Sequence, residues 1–147
     1  MSQQISQDPK LIYDRISTNF AKQSMLTTIG ARLELAELGR CVITAPIGEA
    51  FRQHHGFAHA GFTFTLGDTA AGYAALSHMR EGAEVVSVEV KMNMLAPAVG
   101  DYLVATGSVL RAGRQIVAVR AEVEAVTGDQ RKLVAALQGT MMPVEIS

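Results

Sequence analysis

The chain of 147 residues has no tryptophan and a single cysteine, Cys41. One thiol cannot close an intramolecular disulfide, so a disulfide-stapled fold is excluded and a reducing compartment is the natural setting. Cys41 stands in the apolar run RCVITA, where a packed strand thiol is expected rather than a nucleophile. An excess of charge is also missing: 13 Lys and Arg face 14 Asp and Glu, with no basic block. That argues against a nucleic-acid partner. The opening MSQQISQDPKLIYD has no basic stretch leading into an apolar one, so no secretory leader is read and a cytoplasmic protein is expected. Only Gly61 to Met79 is apolar enough to suggest a membrane span. Asp68 at its centre and its Thr, Gly and Ser content favour a core helix instead. The 4 Pro and 13 Gly are scattered, with no repeat or low-complexity tract.

What remains is 48% hydrophobic and 18% charged, and long enough for one domain with a real core. The reading is a single domain over 1–147, with a helical segment at 1–30 and an α+β core at 31–147. Asp8-Pro9 has the form of a helix start, an N-cap carboxylate followed by Pro at the first helical position. Leu11, Ile12, Ile16 and Phe20 follow at helical spacing, predicting one amphipathic helix that ends before Gly30 and leaves Asp14, Arg15 and Lys22 to solvent. Residues 31–35 and 40–45 alternate as a hairpin around Gly39. Val86, Val88, Val90, Met92 and Met94 alternate with polar residues, predicting a strand with one apolar face. Strands over 102–110, 115–126 and 133–141 complete the pattern. One long helix among mostly antiparallel strands is an α+β layer architecture.

Between them lies GFAHAGFTFTLGDTAAGYAALSHM, residues 56–79, whose one formal charge is Asp68. A helix is expected from about Ala60 to Met79. An unpaired buried carboxylate is costly, so Asp68 is either paired or kept for chemistry.

These residues bear a family resemblance. His59-Ala60-Gly61 followed by Asp68-Thr69-Ala70 resembles the HGG…D segment of the PaaI-like hotdog acyl-CoA thioesterases. Gln53 lies six residues ahead of His59, where relatives carry an amide. Val86-Ser87-Val88 resembles the opening of the family's strand after the helix, and Leu95 to Asp101 its P-x-x-x-G-D/E link. The resemblance covers roughly residues 20–141. It implies a hotdog fold, a long central helix wrapped by a curved antiparallel sheet, and hydrolysis of an acyl-CoA thioester. Two departures are visible: Ala60 replaces the middle glycine, and Gly72 stands where some relatives carry a hydroxyl, which leaves Ser87 to orient water.

Thioester hydrolysis needs an oxyanion donor, a base or nucleophile, and an acyl slot. A helix N-terminus offers unpaired N–H groups and the positive end of the dipole. The resemblance implies the Ala60 N–H as donor, with Gly61 assisting and His59 at the helix mouth. Gln53 and Ser87 would orient the water or the carbonyl, and Asp68 would act as general base or nucleophile, both open. Asp68 stands eight residues past Ala60, about 12 Å along one helix. They can act together only if Asp68 of one subunit meets the helix start of another, as in the family. A homodimer or dimer of dimers is therefore expected, with the pantetheine arm at the interface and the acyl group in an apolar pocket beside the helix. No metal and no cofactor is called for; coenzyme A comes with the substrate, and no membrane partner is implied. His54 and His55 read as loop residues, and His78 as a partner for the helix C-terminus. Ser87 and Gln53 also have plainer readings, as a surface hydroxyl and a loop-to-backbone bond. Two other functions share the pattern: a non-hydrolysing acyl-CoA-binding hotdog domain and an acyl-CoA hydratase or dehydratase.

Overall fold

A computed structural model describes residues 5–146. Met1–Gln4, on which the reading of the leader partly rests, and Ser147 lie outside them. Helix α1 spans Pro9–Ala21, opened by the Asp8 carboxylate accepting the Lys10 N–H at 2.9 Å. The predicted single helix is two. Gln23 turns extended (φ −83°, ψ 100°) before the short α2, Ser24–Thr28. Hairpin β1–β2, Arg32–Glu37 and Arg40–Pro46, turns at Gly39, whose φ of +76° a side chain would resist. Helix α3 runs Ala60–Leu76. After it come β3 (Glu84–Met94), β4 (Tyr102–Ala112), β5 (Val117–Thr127) and β6 (Gln130–Val144).

The six strands form one antiparallel sheet in the order β1-β2-β4-β5-β6-β3, so β3, next to α3 in sequence, forms an edge. The sheet packs around α3. Leu66, Ala70, Ala71, Ala74, Ala75 and Leu76 are all but inaccessible, against Ile43, Leu103, Ala105, Val119, Ala121 and Val123. Small residues permit this close approach. A Cβ on Gly107 of β4 would lie 2.2 Å from the carbonyl of Ala70, so glycine is required there. No helix among the described residues is long and apolar enough to cross a membrane.

Three expectations are corrected. Arg15 does not face solvent: it is half-buried and caps the far end of α3. Its Nη1 donates to the carbonyls of Leu76 (3.4 Å) and Met79 (3.0 Å), and its Nη2 to those of Arg80 (3.0 Å) and Ala83 (2.5 Å). One guanidinium thereby satisfies carbonyls that the helix end and its loop leave open. His78 therefore does not serve the helix end; it packs beside Gly39, and burial lowers its pKa, favouring the neutral ring. Nor does β3 alternate uniformly. Ser87 pairs with Met141 and Glu89 with Thr140, so Val88 is an unpaired bulge residue. The bulge reverses the pleat: Val85, Val90 and Met92 pack on the core, while Val86 and Val88 are exposed.

Candidate active site

The head of α3 is held by its own cap. His59 is extended (φ −62°, ψ 142°), and its Nδ1 accepts the Gly61 N–H at 2.9 Å. Its own N–H donates to the Phe51 carbonyl at 2.8 Å, while its carbonyl accepts the Thr63 N–H at 3.0 Å. Phe51 and Phe62 stack with centroids 5.3 Å apart, and the Ala58 N–H donates to Ala98. The loop before the helix is thus fixed on both sides. Because His59 takes the Gly61 N–H, the exposed Ala60 offers an N–H with no acceptor among the described residues. It opens onto a cavity of about 370 Å³ shared with Gln53 and residues 94–98. The Gln53 Oε1 accepts the His55 N–H, which is the loop-to-backbone bond, while its NH₂ donates to nothing among the described residues.

Asp68 lies two turns further along. It is half-buried and paired: Ser87 Oγ donates to Asp68 Oδ1 at 2.7 Å. The bulge at Val88 is what lets Ser87 face α3 while Val90 and Met92 also face inward. Asp68 and Ser87 line a second cavity of about 190 Å³ with Thr69, Gly72, Tyr73, Asn19, Gln23, Glu84 and Val85. Gly72 keeps it open, since a Cβ there would come no nearer than 4.0 Å to Val85.

One wall of this cavity is polar. Gln23 Nε2 donates to the Tyr73 hydroxyl at 2.5 Å, which donates to Asn19 Oδ1 at 2.9 Å. Asn19 Nδ2 donates in turn to Glu84 Oε2 at 2.6 Å. Burial pushes the Tyr73 phenol up to about 12, so it remains a donor at neutral pH. None of these four residues stands out in sequence. The available signal was a tyrosine on an otherwise apolar helix, whose hydroxyl must find a partner.

The structure therefore brings Asp68 and Ser87 together in one place and His59, Ala60, Gly61 and Gln53 in another. The two cavities share no lining residue, and Ala60 and Asp68 stand about 12 Å apart along the helix. One end can activate water or attack a carbonyl; the other can receive an anion. Cys41 belongs to neither: it is buried and its pKa is pushed up to about 12 by burial. His54 and His55 are exposed with ring centroids 4.0 Å apart, and no described group of three His, Cys, Asp or Glu could hold a metal ion.

Comparison with known proteins follows the same outline. A thioesterase family protein from Silicibacter pomeroyi is 34% identical, with a TM-score of 0.89 over 92% of this chain and 99% of that one. The PaaI protein of E. coli, from the phenylacetic acid degradation operon, shares the fold at a TM-score of 0.83 and 24% identity, over 92% and 95% of the two chains. The 1,4-dihydroxy-2-naphthoyl-CoA hydrolase of Listeria monocytogenes is 26% identical over 59% of this chain and 71% of its own length. The chain spans 61% and 64% of the length of two archaeal relatives that it matches at 33% identity. The profile of the Thioesterase superfamily matches residues 55–132, from just ahead of the His59 cap into β6. By that match, and by the sheet that surrounds its central helix, this chain belongs to the Thioesterase superfamily.

Proposed function

We propose that the protein hydrolyses an acyl-CoA thioester to a free acid and coenzyme A, and that each active site is shared by two copies of the chain. The observation that carries this is the Asp68–Ser87 pair at one point on α3 and an unengaged Ala60 N–H about 12 Å away at its start. In a dimer the Ala60 N–H of one copy polarises the thioester carbonyl while Asp68 of the other attacks or activates water. As base, Asp68 takes a proton from water, hydroxide adds to the carbonyl, and the tetrahedral oxyanion rests on the helix N-terminus. Collapse expels the coenzyme A thiolate, which takes up a proton. As nucleophile, Asp68 would instead form an acyl anhydride that water then opens.

Ser87 orients the carboxylate, Gln53 offers its free NH₂ to the carbonyl or water, and His59 secures the donor loop. The edge strand supports a second copy, because Val86 (39% exposed) and Val88 (56%) present apolar surface beside unpaired backbone. A further pairing of dimers is compatible with this arrangement. The named activity of the Listeria relative supports a CoA thioester as substrate. The reading uses no metal or cofactor, and the lone buried thiol fits a cytoplasmic setting.

Free-thiol release from a panel of acyl-CoAs, comparing wild type with Asp68→Asn at equal folded concentration, tests it. A fall of orders of magnitude is expected. Undiminished turnover by the variant would refute the mechanism. Wild-type binding of acyl-CoA without turnover would refute the activity.

A further inference from the structure

We infer that the hydrogen-bonded pair Asn19–Glu84 is a partition that limits the length of the acyl group, closing the cavity beside Asp68 off from a larger one under α1. The inference rests on the thioesterase reading, in which the group bonded to the attacked carbonyl lies beside Asp68.

The two cavities meet at these residues. The one beside Asp68 measures about 190 Å³. The other measures about 500 Å³ and lies between α1 and the loop that leads from α3 into β3. Asn19 and Glu84 line both, and no other residue does. Asn19 Nδ2 donates to Glu84 Oε2 at 2.6 Å. The two side chains and the bond between them thus stand where one space ends and the other begins.

The partition is held from both sides. The Tyr73 hydroxyl donates to Asn19 Oδ1 at 2.9 Å, tying it to α3, and Glu84 is fixed in β3 by its pairing with Val144 of β6. A methylene chain carries no donor or acceptor. To pass, it must break a bond to a carboxylate and leave both groups without a replacement. On the near side, the cavity is little more than the roughly 150 Å³ that holds one benzene ring, so a short acyl group fills it. On the far side the lining changes character. Leu11, Ile12, Ile16, Met79 and Ala83 give the larger cavity an apolar side, and all but Leu11 are buried. That surface favours a longer hydrocarbon chain, which the pair keeps from reaching it.

The test compares kcat/KM for hexanoyl-CoA and dodecanoyl-CoA within each enzyme, so that the ratio does not depend on the fraction folded. Wild type is expected to prefer hexanoyl-CoA by at least tenfold. Asn19→Ala and Glu84→Ala each remove one half of the partition, and in each the ratio should move at least tenfold toward dodecanoyl-CoA. Gln23 belongs to the same chain of hydrogen bonds but lines only the smaller cavity, so Gln23→Ala should leave the ratio within twofold of wild type. Thr18 is exposed and lines only the larger cavity. Adding Thr18→Phe to Asn19→Ala should fill the opened space and restore the preference for hexanoyl-CoA, a reversal that general loosening of the fold would not give. An unchanged ratio in both partition variants, or an equal shift in Gln23→Ala, overturns the inference and leaves the thioesterase reading standing. Equal hydrolysis of the two substrates by wild type does the same, as does hydrolysis of neither when other acyl-CoAs are cleaved. Hydrolysis of no acyl-CoA at all overturns both.

Discussion

Replacing Ala60 by proline deletes one N–H at the head of α3 and leaves the helix in place. Proline is favoured at the first helical position because that N–H has no partner within the helix. The preceding residue, His59, already has the extended backbone (φ −62°, ψ 142°) that a residue before proline requires. The Ala60 N–H bonds to nothing among the described residues, so folding should be nearly unaffected. Loss of one oxyanion donor costs about 10²–10³ in kcat, and that fall is the expected result. Coexpression with Asp68→Asn is the sharper experiment. Random pairing makes about half the dimers mixed, and in each mixed dimer one site keeps both Asp68 and the Ala60 N–H while the other loses both. Two inactive parents should therefore recover about a quarter of wild-type thiol release per protomer. Mixed dimers verified by native mass spectrometry, with activity no greater than the sum of the parents, would refute the shared site. Full activity in Ala60→Pro alone would refute the choice of donor.

Ser87→Ala removes a 2.7 Å hydrogen bond to a carboxylate, worth about 1.5–3 kcal/mol; because Ser87 is exposed in the protomer, the lower value applies. A fall of about tenfold in kcat is expected, and stopped-flow thiol release that shows none removes Ser87 from the site. In Gly107→Ala the new Cβ would sit 2.2 Å from backbone atoms of α3, an overpacking of about 3 kcal/mol or more. The melting temperature at fixed protein concentration should then fall by about 9 °C, and a shift under 2 °C would contradict the packing described. With its pKa raised to about 12 by burial, the Cys41 thiol is less than about one part in a thousand thiolate at pH 8. A thiol reagent should leave native protein unlabelled and label it rapidly in denaturant.

The long helix, the hairpins and the Asp68 motif were legible because their signals are local: period, turn glycines and spacing within one segment. The partners that complete the site were not. Asn19 and Tyr73 meet across 54 positions, and Asn19 and Glu84 across 65, with no pattern linking them. Arg15 looked like a solvent residue because its partners are carbonyls, which every residue carries and no letter marks. The break after α1 was missed because Lys22 and Gln23 are ordinary helix formers; there, tertiary context overrides propensity. The lining of the cavity beside Asp68 was hidden for the same reason, since it comes from α1 and β3 as well as α3.

The unpaired Val88 in β3 bears on how this chain compares with its relatives over time. Because it offsets the pleat by one position, Ser87 and Val90 face the same way although they are three positions apart. Deleting Val88 would restore regular alternation, leaving Ser87 opposite Met141, still on the α3 side, and residues 89–94 in register with β6. The hydroxyl can therefore keep its place in the site while a single codon is gained or lost beside it. Alignments of divergent members that close this gap will pair the wrong residue with Ser87, and the history of the site will be read as substitution where it was insertion.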